Sequence, residues 1–533
     1  MVTRPVASKH HFRENEKNLS FEWPHHEFLW GVATSPYQHE GGMNGEGEPL
    51  NNWAWAERDN QVEPSGKSCN FWNLAEEDLK RAKDLGLNAF RLGISWSRIQ
   101  PVYDLPHPEN PSFLEPPPFD PTVLARYAEI LAHCRALGLE PVVTLHHFTH
   151  PAWLGLDAWI HRSTIDHYLH YVDYTIKYLL EHLPKEFHCE PPRFFLTVNE
   201  PNMLATCHYL YGYFPSGSNR GIHAATTCLI HLLEAHSKAY FLIHSLYKSY
   251  GLKPYVSFNN YSSNLYWLDL AWLDLLHANY FGIKKQKLFS YLWDRARQLD
   301  SAFDKARFSS ISLARKALGF LLKKAQHFLA YACSFESAWK ELLEVIYASK
   351  QRPFDFIAFD YYDPFVEHAL RWPRWNDELP KRNKTFHEWM MEAFTSKWWD
   401  WRMLPEGLAF VTHQLTHYHL PLMISENGLA YRYTPSGMME KRRDSVLRSH
   451  YIRAHVRIVN KLRKEGAPLF GYLYWSLVDN YEWGSFSPRF GLYSVDFQNG
   501  LYRKEIDVFG ENPAKIYAEE VQKARINKIS WKK

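Results

Sequence analysis

The sequence has no apolar run long enough to span a bilayer. Its first twenty residues, MVTRPVASKHHFRENEKNLS, are polar and lack the apolar centre of a secretion signal. Cysteine is scarce: Cys69, Cys134, Cys189, Cys207, Cys228 and Cys333 lie far apart, with no CxxC pair and no regular framework. That argues against a disulfide scaffold and for free thiols in a reducing compartment, so a cytoplasmic protein is expected. Net charge is only +3, which leaves no global field to draw nucleic acid or a membrane. No glycine-rich phosphate turn follows any apolar segment. The cluster GGMNGEG at Gly41 has the wrong spacing and glutamates beside it, which argues against a nucleotide-binding open sheet.

What is plentiful is aromatic and apolar. Hydrophobic residues make up 46% of the 533, with 21 Trp, 32 Tyr and 33 Phe. Such a chain can bury a large core, and its rings also offer flat platforms for sugars. Eight apolar, β-rich segments recur along it: Phe28 to Gln38, Leu87 to Ser95, Glu140 to His147, Arg193 to Asn199, Pro254 to Asn259, Phe354 to Tyr361, the stretch around Leu422 to Ile424, and Leu469 to Leu477. Helical periodicity separates most of them, for instance from about Phe71 to Leu85 and onward from about Ala224. The segments are near-continuous apolar runs, as parallel strands covered on both faces must be. Eight β-then-α units predict a single (β/α)8 TIM barrel with elaborated βα loops, over residues 26–533, after a poorly ordered tail of residues 1–25. A barrel of this kind carries its chemistry at the C-terminal ends of its strands.

Two of those ends carry glutamate. The fourth segment runs into Asn199-Glu200-Pro201 and the seventh into Ser425-Glu426-Asn427-Gly428. Two carboxylates facing each other across one mouth are the equipment of glycoside hydrolysis, and a gap of about 5 Å leaves room for a covalent sugar ester. One must stay ionised to attack while the other holds a proton. Arg91, at the second strand, is a permanent cation able to keep a neighbour ionised. The sixth strand ends at Asp360-Tyr361-Tyr362-Asp363, whose phenols can hydrogen-bond a nucleophile. The eighth brings Trp475 and then Glu482-Trp483, suited to stacking on sugar faces and to accepting paired hydroxyls.

With FLWGVATSPYQHEG, FRLGISWSRIQP, TLHHFTHPAWL, TVNEPN, ISENGLA and GYLYWSLVDNYEWGSFSPRFGLYSVD in this order, the chain resembles the family-1 glycoside hydrolases, the β-glucosidase and β-galactosidase group, from about Phe28 to Asp496. The resemblance implies a retaining, exo-acting β-glycosidase without metal or cofactor, acting on a small-molecule β-glycoside. It implies Glu426 as nucleophile, Glu200 as acid/base, and Arg91 and Tyr362 as partners of the nucleophile. It implies Asn199 at the sugar 2-hydroxyl, and Gln38, His147, Glu482 and Trp483 on the other hydroxyls, with Trp475 as platform. Relatives that take 6-phosphorylated sugars lack the acid at Glu482, so an unphosphorylated sugar is expected. The rivals are a transglycosylase or glycolipid-directed enzyme with the same site, and a non-catalytic sugar-binding relative.

The departures are specific. The chain reads Gln38-His39-Glu40 where the family usually has Ile or Val between the Gln and Glu. Phe148 replaces a Trp, and Asp360 stands where Asn is usual. Asp360 is expected to point to backbone or to a cation, since a second ionised acid would raise its neighbour. Arg98 is expected to be structural. His146, His147 and His150 match no standard metal spacing. Between the fifth and sixth strands, Lys284 to Lys324 holds eleven Lys/Arg against three Asp/Glu. Within the atypical segment at about 284–350, Phe308, Ile311, Leu318, Leu321, Leu322, Ala325, Phe328 and Leu329 recur at helical spacing. This predicts a basic amphipathic helix packing its apolar face on the barrel, with peripheral membrane or lipid contact through about 305–332 as the sharper alternative.

Overall fold

In a computed structural model of the chain, the described residues are 27–105, 115–308, 311–333, 338–369, 401–433, 438–440, 442 and 444–526. The N-terminal tail lies outside them. Eight parallel strands close into one barrel: β1 (Leu29–Ala33), β2 (Ala89–Gly93), β3 (Glu140–Thr144), β4 (Phe194–Asn199), β5 (Tyr255–Tyr261), β6 (Ile357–Asp360), β7 (Leu422–Glu426) and β8 (Leu469–Trp475). Each pairs with the next in sequence, and β8 returns to β1 with Leu29 opposite Gly471 and Ala33 opposite Trp475. This is a (β/α)8 TIM barrel. All eight strands are buried along their length, because the barrel interior covers one face and a ring of helices the other. Leu29, Ala89, Val142, Phe194, Tyr255, Phe356, Met423 and Phe470 are among the residues that fill the interior. Two ladders slip beside the mouth, between Leu196 and Asn199 on β4 and between Phe359 and Asp360 on β6. Such irregularities re-aim the side chains that follow them.

Among the helices around the barrel are α1 (Phe71–Asp84), α2 (Pro121–Ala136), α3 (Ser163–Glu186), α4 (Ile222–Ser249), then α5 (Leu288–Lys305), α6 (Leu313–Cys333) and α7 (Ala338–Ala348) in the long β5–β6 connection, followed by α8 (Pro405–Leu415), α9 (Arg448–Lys464) and, after β8, α10 (Pro513–Ile526). No described helix is long and apolar enough to cross a membrane.

Two expectations need correction. The first strand stops at Ala33 rather than Gln38, because Ser35-Pro36 starts a helical turn at Pro36–His39 that swings Gln38 into the mouth. The basic segment is not one helix with its apolar face inward. Phe308 and Ile311 are buried in the turn between α5 and α6. On α6 the polar side faces the barrel: Lys323 Nζ lies 3.6 Å from buried Glu367 and 3.4 Å above the Phe303 ring. His327 bonds Asp300 at 2.9 Å and accepts from Trp267 at 2.8 Å. Gly319 lets the helix approach closely, since a Cβ there would strike the Glu367 carboxyl. The opposite side presents Leu318, Leu321 and Phe328, which are 45%, 64% and 72% exposed, with Phe320 beside them. Periodicity located an apolar stripe, but half-buried Asp300 on α5 and buried Glu367 after β6 turned the helix over.

Candidate active site

The barrel mouth gathers Glu200, Glu426, Arg91, Tyr362, Asn199, Gln38, His147, Trp475, Glu482 and Trp483. Glu426 ends β7 and lies buried between two donors. Arg91 Nη1 donates to Oε1 at 2.6 Å and the Tyr362 hydroxyl donates to Oε2 at 2.7 Å. Arg91 points inward from β2 without any exposure. It is fixed by Nε to Thr144 Oγ1 at 2.9 Å and by Nη2 to Asn199 Oδ1 at 2.6 Å. One guanidinium thus orients the acid on β7 and the amide at the end of β4. Asn259, from β5, supports the same amide by donating to Asn199 Oδ1 at 2.6 Å.

Glu200 sits one residue past β4, where Pro201 begins the short helix Pro201–Tyr209. Its backbone is left-handed, with φ at +37°, uncommon for a residue with a side chain. The amide of Glu200 donates to Asn259 O at 2.9 Å. Carboxylate oxygens of Glu200, Glu426 and Asp360 lie within 4.8 Å of one another. Burial and the neighbouring carboxylates of Asp360 and Glu426 all push Glu200 far above the ordinary carboxyl range. For Glu426 burial also pushes upward, but Arg91 and Tyr362 pull back. The environments therefore separate the two acids, with Glu426 the one that ionises first.

Opposite them, Gln38 Nε2 donates to Glu482 Oε2 at 2.8 Å. Asn480, in the orientation that satisfies both ends of its amide, donates to the same oxygen at 3.0 Å. Burial and Glu426 raise Glu482 while Gln38 opposes them. His147 stands parallel between the indoles of Trp475 and Trp483, with centroids 5.9 and 5.8 Å away. Burial and Arg91 keep it neutral by lowering it well below the usual imidazole range. Phe148 packs against Trp483 at 4.9 Å and Phe214 at 5.2 Å, so the smaller ring still closes that wall.

Asp360 departs from expectation. It meets neither backbone nor cation. Ser425 Oγ donates to its Oδ1 at 2.7 Å and Asn259 Nδ2 donates to its Oδ2. Burial and Glu426 push it above the ordinary carboxyl range, while Arg91, Ser425 and Asn259 pull it back. Arg98 is structural as expected: it pairs with Glu40 at 2.7 Å and lies over Trp72. The three histidines do not converge, since His146 accepts from Trp159 at 3.2 Å and His150 bonds Gly155 O at 2.8 Å. Thr144, Asn259, Ser425 and Asn480 were missed as site residues. Only Asn480 had a local signal, two positions before Glu482; the others depend on which strands become neighbours.

A parallel barrel with two differently held glutamates at its mouth has the equipment of a glycosidase. The family model for glycosyl hydrolase family 1 matches residues 20–521. A 6-phospho-beta-galactosidase of Staphylococcus aureus (strain JH9) is 25% identical over 491 residues, covering 89% of this chain and 94% of that protein. A beta-glucosidase from Thermotoga maritima, solved with castanospermine, superposes with a TM-score of 0.64 at 21% identity, covering 94% of this chain and 98% of that one. A beta-glycosidase from Pyrococcus horikoshii superposes at 0.59 with 24% identity, over 93% and 94%. The chain belongs to glycosyl hydrolase family 1 and is a β-glycosidase acting on small-molecule glycosides.

Proposed function

We propose that this enzyme is a retaining, exo-acting β-glycosidase for a terminal unphosphorylated sugar, with Glu426 as nucleophile and Glu200 as acid/base. The observation that carries the reading is the approach of the two carboxyls within 4.8 Å, in environments that ionise one before the other. That gap suits a covalent sugar ester and leaves no room for a water between them. Glu426 attacks the anomeric carbon as Glu200 protonates the glycosidic oxygen. Water, losing a proton to Glu200, then attacks the same carbon and expels Glu426 as carboxylate. Asn199, oriented by Arg91, takes the 2-hydroxyl. Gln38, His147, Glu482 and Trp483 hold the other hydroxyls over the Trp475 face. Free thiols at Cys69, Cys134, Cys189, Cys207 and Cys228 suit a cytoplasmic setting.

The named activity of the Staphylococcus relative raises a phosphorylated sugar as the alternative. Glu482 argues against it. A sugar phosphate would either meet a carboxylate or force it to take up a proton. At about 5 Å and an effective dielectric near 20, like-charge repulsion is about 3 kcal/mol. An aryl β-D-glycoside should therefore exceed its 6-phosphate by at least about 100-fold in kcat/KM. A preference for the phosphate would overturn this part of the reading.

A glycolipid-directed variant has its own support in α6. Its buried side contacts Glu367, which Asn264 binds at 2.6 Å in the loops after β5 and β6, so the helix flanks the mouth. Its outward stripe of Leu318, Leu321 and Phe328 is edged by exposed Lys324, and exposed Lys305 and Arg307 precede the helix. An apolar face with a basic margin fits the surface of an anionic bilayer. The double variant L321E/F328E should lose co-sedimentation with anionic phosphatidylglycerol vesicles and leave turnover of a water-soluble aryl glycoside unchanged. Wild-type protein that fails to sediment with those vesicles would remove the variant.

A further inference from the structure

Among the described residues, Glu200, Asp360 and Glu426 bring three carboxyls together against one cation. Arg91, from β2, is the guanidinium that reaches them, and its donors are taken by Glu426, Asn199, Thr144 and the Ser425 carbonyl. The other groups facing the cluster are Tyr261 from β5, Tyr362 after β6 and Glu482 beyond β8, with His147 neutral after β3. None of these adds a positive charge. Once Glu426 has ionised against Arg91, one further negative charge is tolerable and a third is not. Glu200 and Asp360 must therefore share a proton between them.

Geometry decides which of the two keeps it. Asp360 receives two donors on separate oxygens, Ser425 Oγ at 2.7 Å and the Asn259 amide, and both stabilise its ionised form. Among the described residues the Glu200 carboxyl receives no such pair of donors, and one of its oxygens lies within 4.8 Å of an oxygen of Asp360. The two donors therefore favour the ionised form of Asp360 and leave the shared proton to Glu200.

We propose that Asp360 is a positioning residue for the acid/base: its carboxylate holds the proton on Glu200 until the glycosidic bond breaks, then makes Glu200 a stronger base for the water step. The inference rests on the roles given above to Glu200 and Glu426. The charges balance. In the first step the Glu426 carboxylate becomes an ester, so its negative charge disappears. The proton leaves Glu200 for the departing alcohol, so a carboxylate appears there. The trio carries two negative charges before and after. In the second step the water proton returns to Glu200, the oxygen bonds the anomeric carbon, and Glu426 departs with the ester electron pair. Beside ionised Asp360, Glu200 takes that proton more readily than it would beside an amide.

The test is the pH profile of kcat/KM for Asp360→Asn, whose amide keeps the shape and removes the charge. Expected is an alkaline limb moved to lower pH by about one unit or more, with the acid limb moving the same way because Glu426 also loses an anionic neighbour. Slower hydrolysis of the glycosyl-enzyme should accompany it on substrates with good leaving groups. Ser425→Ala, which removes one donor from Asp360, should shift the alkaline limb in the same direction by less; this keeps the proposal testable should Asp360→Asn fold poorly. Glu200→Gln separates the two levels. An alkaline limb that survives in Glu200→Gln refutes the role of Glu200 itself. A limb that vanishes there, while those of Asp360→Asn and Ser425→Ala overlie the wild-type profile, overturns the proposal for Asp360 alone.

Discussion

Glu426→Ala is expected to lower kcat/KM on an aryl β-glycoside by at least about 10⁴-fold, the scale seen when a covalent nucleophile is removed. The size follows from the site. Among the described residues no other carboxylate meets both Arg91 and Tyr362, which hold the two Glu426 oxygens at 2.6 and 2.7 Å. Asp360 reaches neither, being engaged by Ser425 and Asn259. Truncation leaves a buried space beside an unpaired guanidinium, and azide fits both the space and the charge. Added azide should therefore restore turnover, and the product should be the α-glycosyl azide. The anion attacks from the face that Glu426 occupied, and no second displacement follows. A variant that keeps its activity, or a β-glycosyl azide as product, would take the nucleophile's role away from Glu426. Circular dichroism should show the fold unchanged, since the residue ends a strand and lies outside the interior packing.

How much of this was legible beforehand depends on the range of the interactions. The eight strands were readable because a buried parallel strand is apolar at every position, as in Leu422-Met423-Ile424 and Phe194-Phe195-Leu196. Glu200 and Glu426 were readable because each follows such a run directly. The end of β1 was misread because FLWGVATSPYQ stays apolar through a turn that Ser35-Pro36 sets locally. The facing of α6 was misread for a different reason. Its stripe is genuine, but Glu367 and Asp300, which capture Lys323 and His327, lie 44 and 23 residues from Lys323. No periodicity within the helix encodes them. Asp360 was the same kind of case. Its donors come from β5 and β7, and only barrel closure makes those strands its neighbours.

The complementary variant, Glu200→Ala, should fail in a way that depends on the substrate. General acid catalysis contributes about 10²- to 10⁴-fold. That full loss is expected for alkyl glycosides, whose alkoxides leave poorly. A dinitrophenyl glycoside needs no proton to depart, so its first step should be nearly normal while the glycosyl-enzyme accumulates for want of a base. Burial and two neighbouring carboxylates hold Glu200 protonated well above the usual carboxyl range. In the intact enzyme the alkaline limb of the pH profile is the loss of that proton, and it should be absent in the variant. The acid limb, set by protonation of Glu426, should remain. Azide should again restore turnover, this time giving the β-glycosyl azide, because the anion enters from the face of Glu200 onto a sugar still bonded to Glu426. The two rescues thus give opposite anomers from one substrate, and swapped anomers would mean that the two glutamates have exchanged roles.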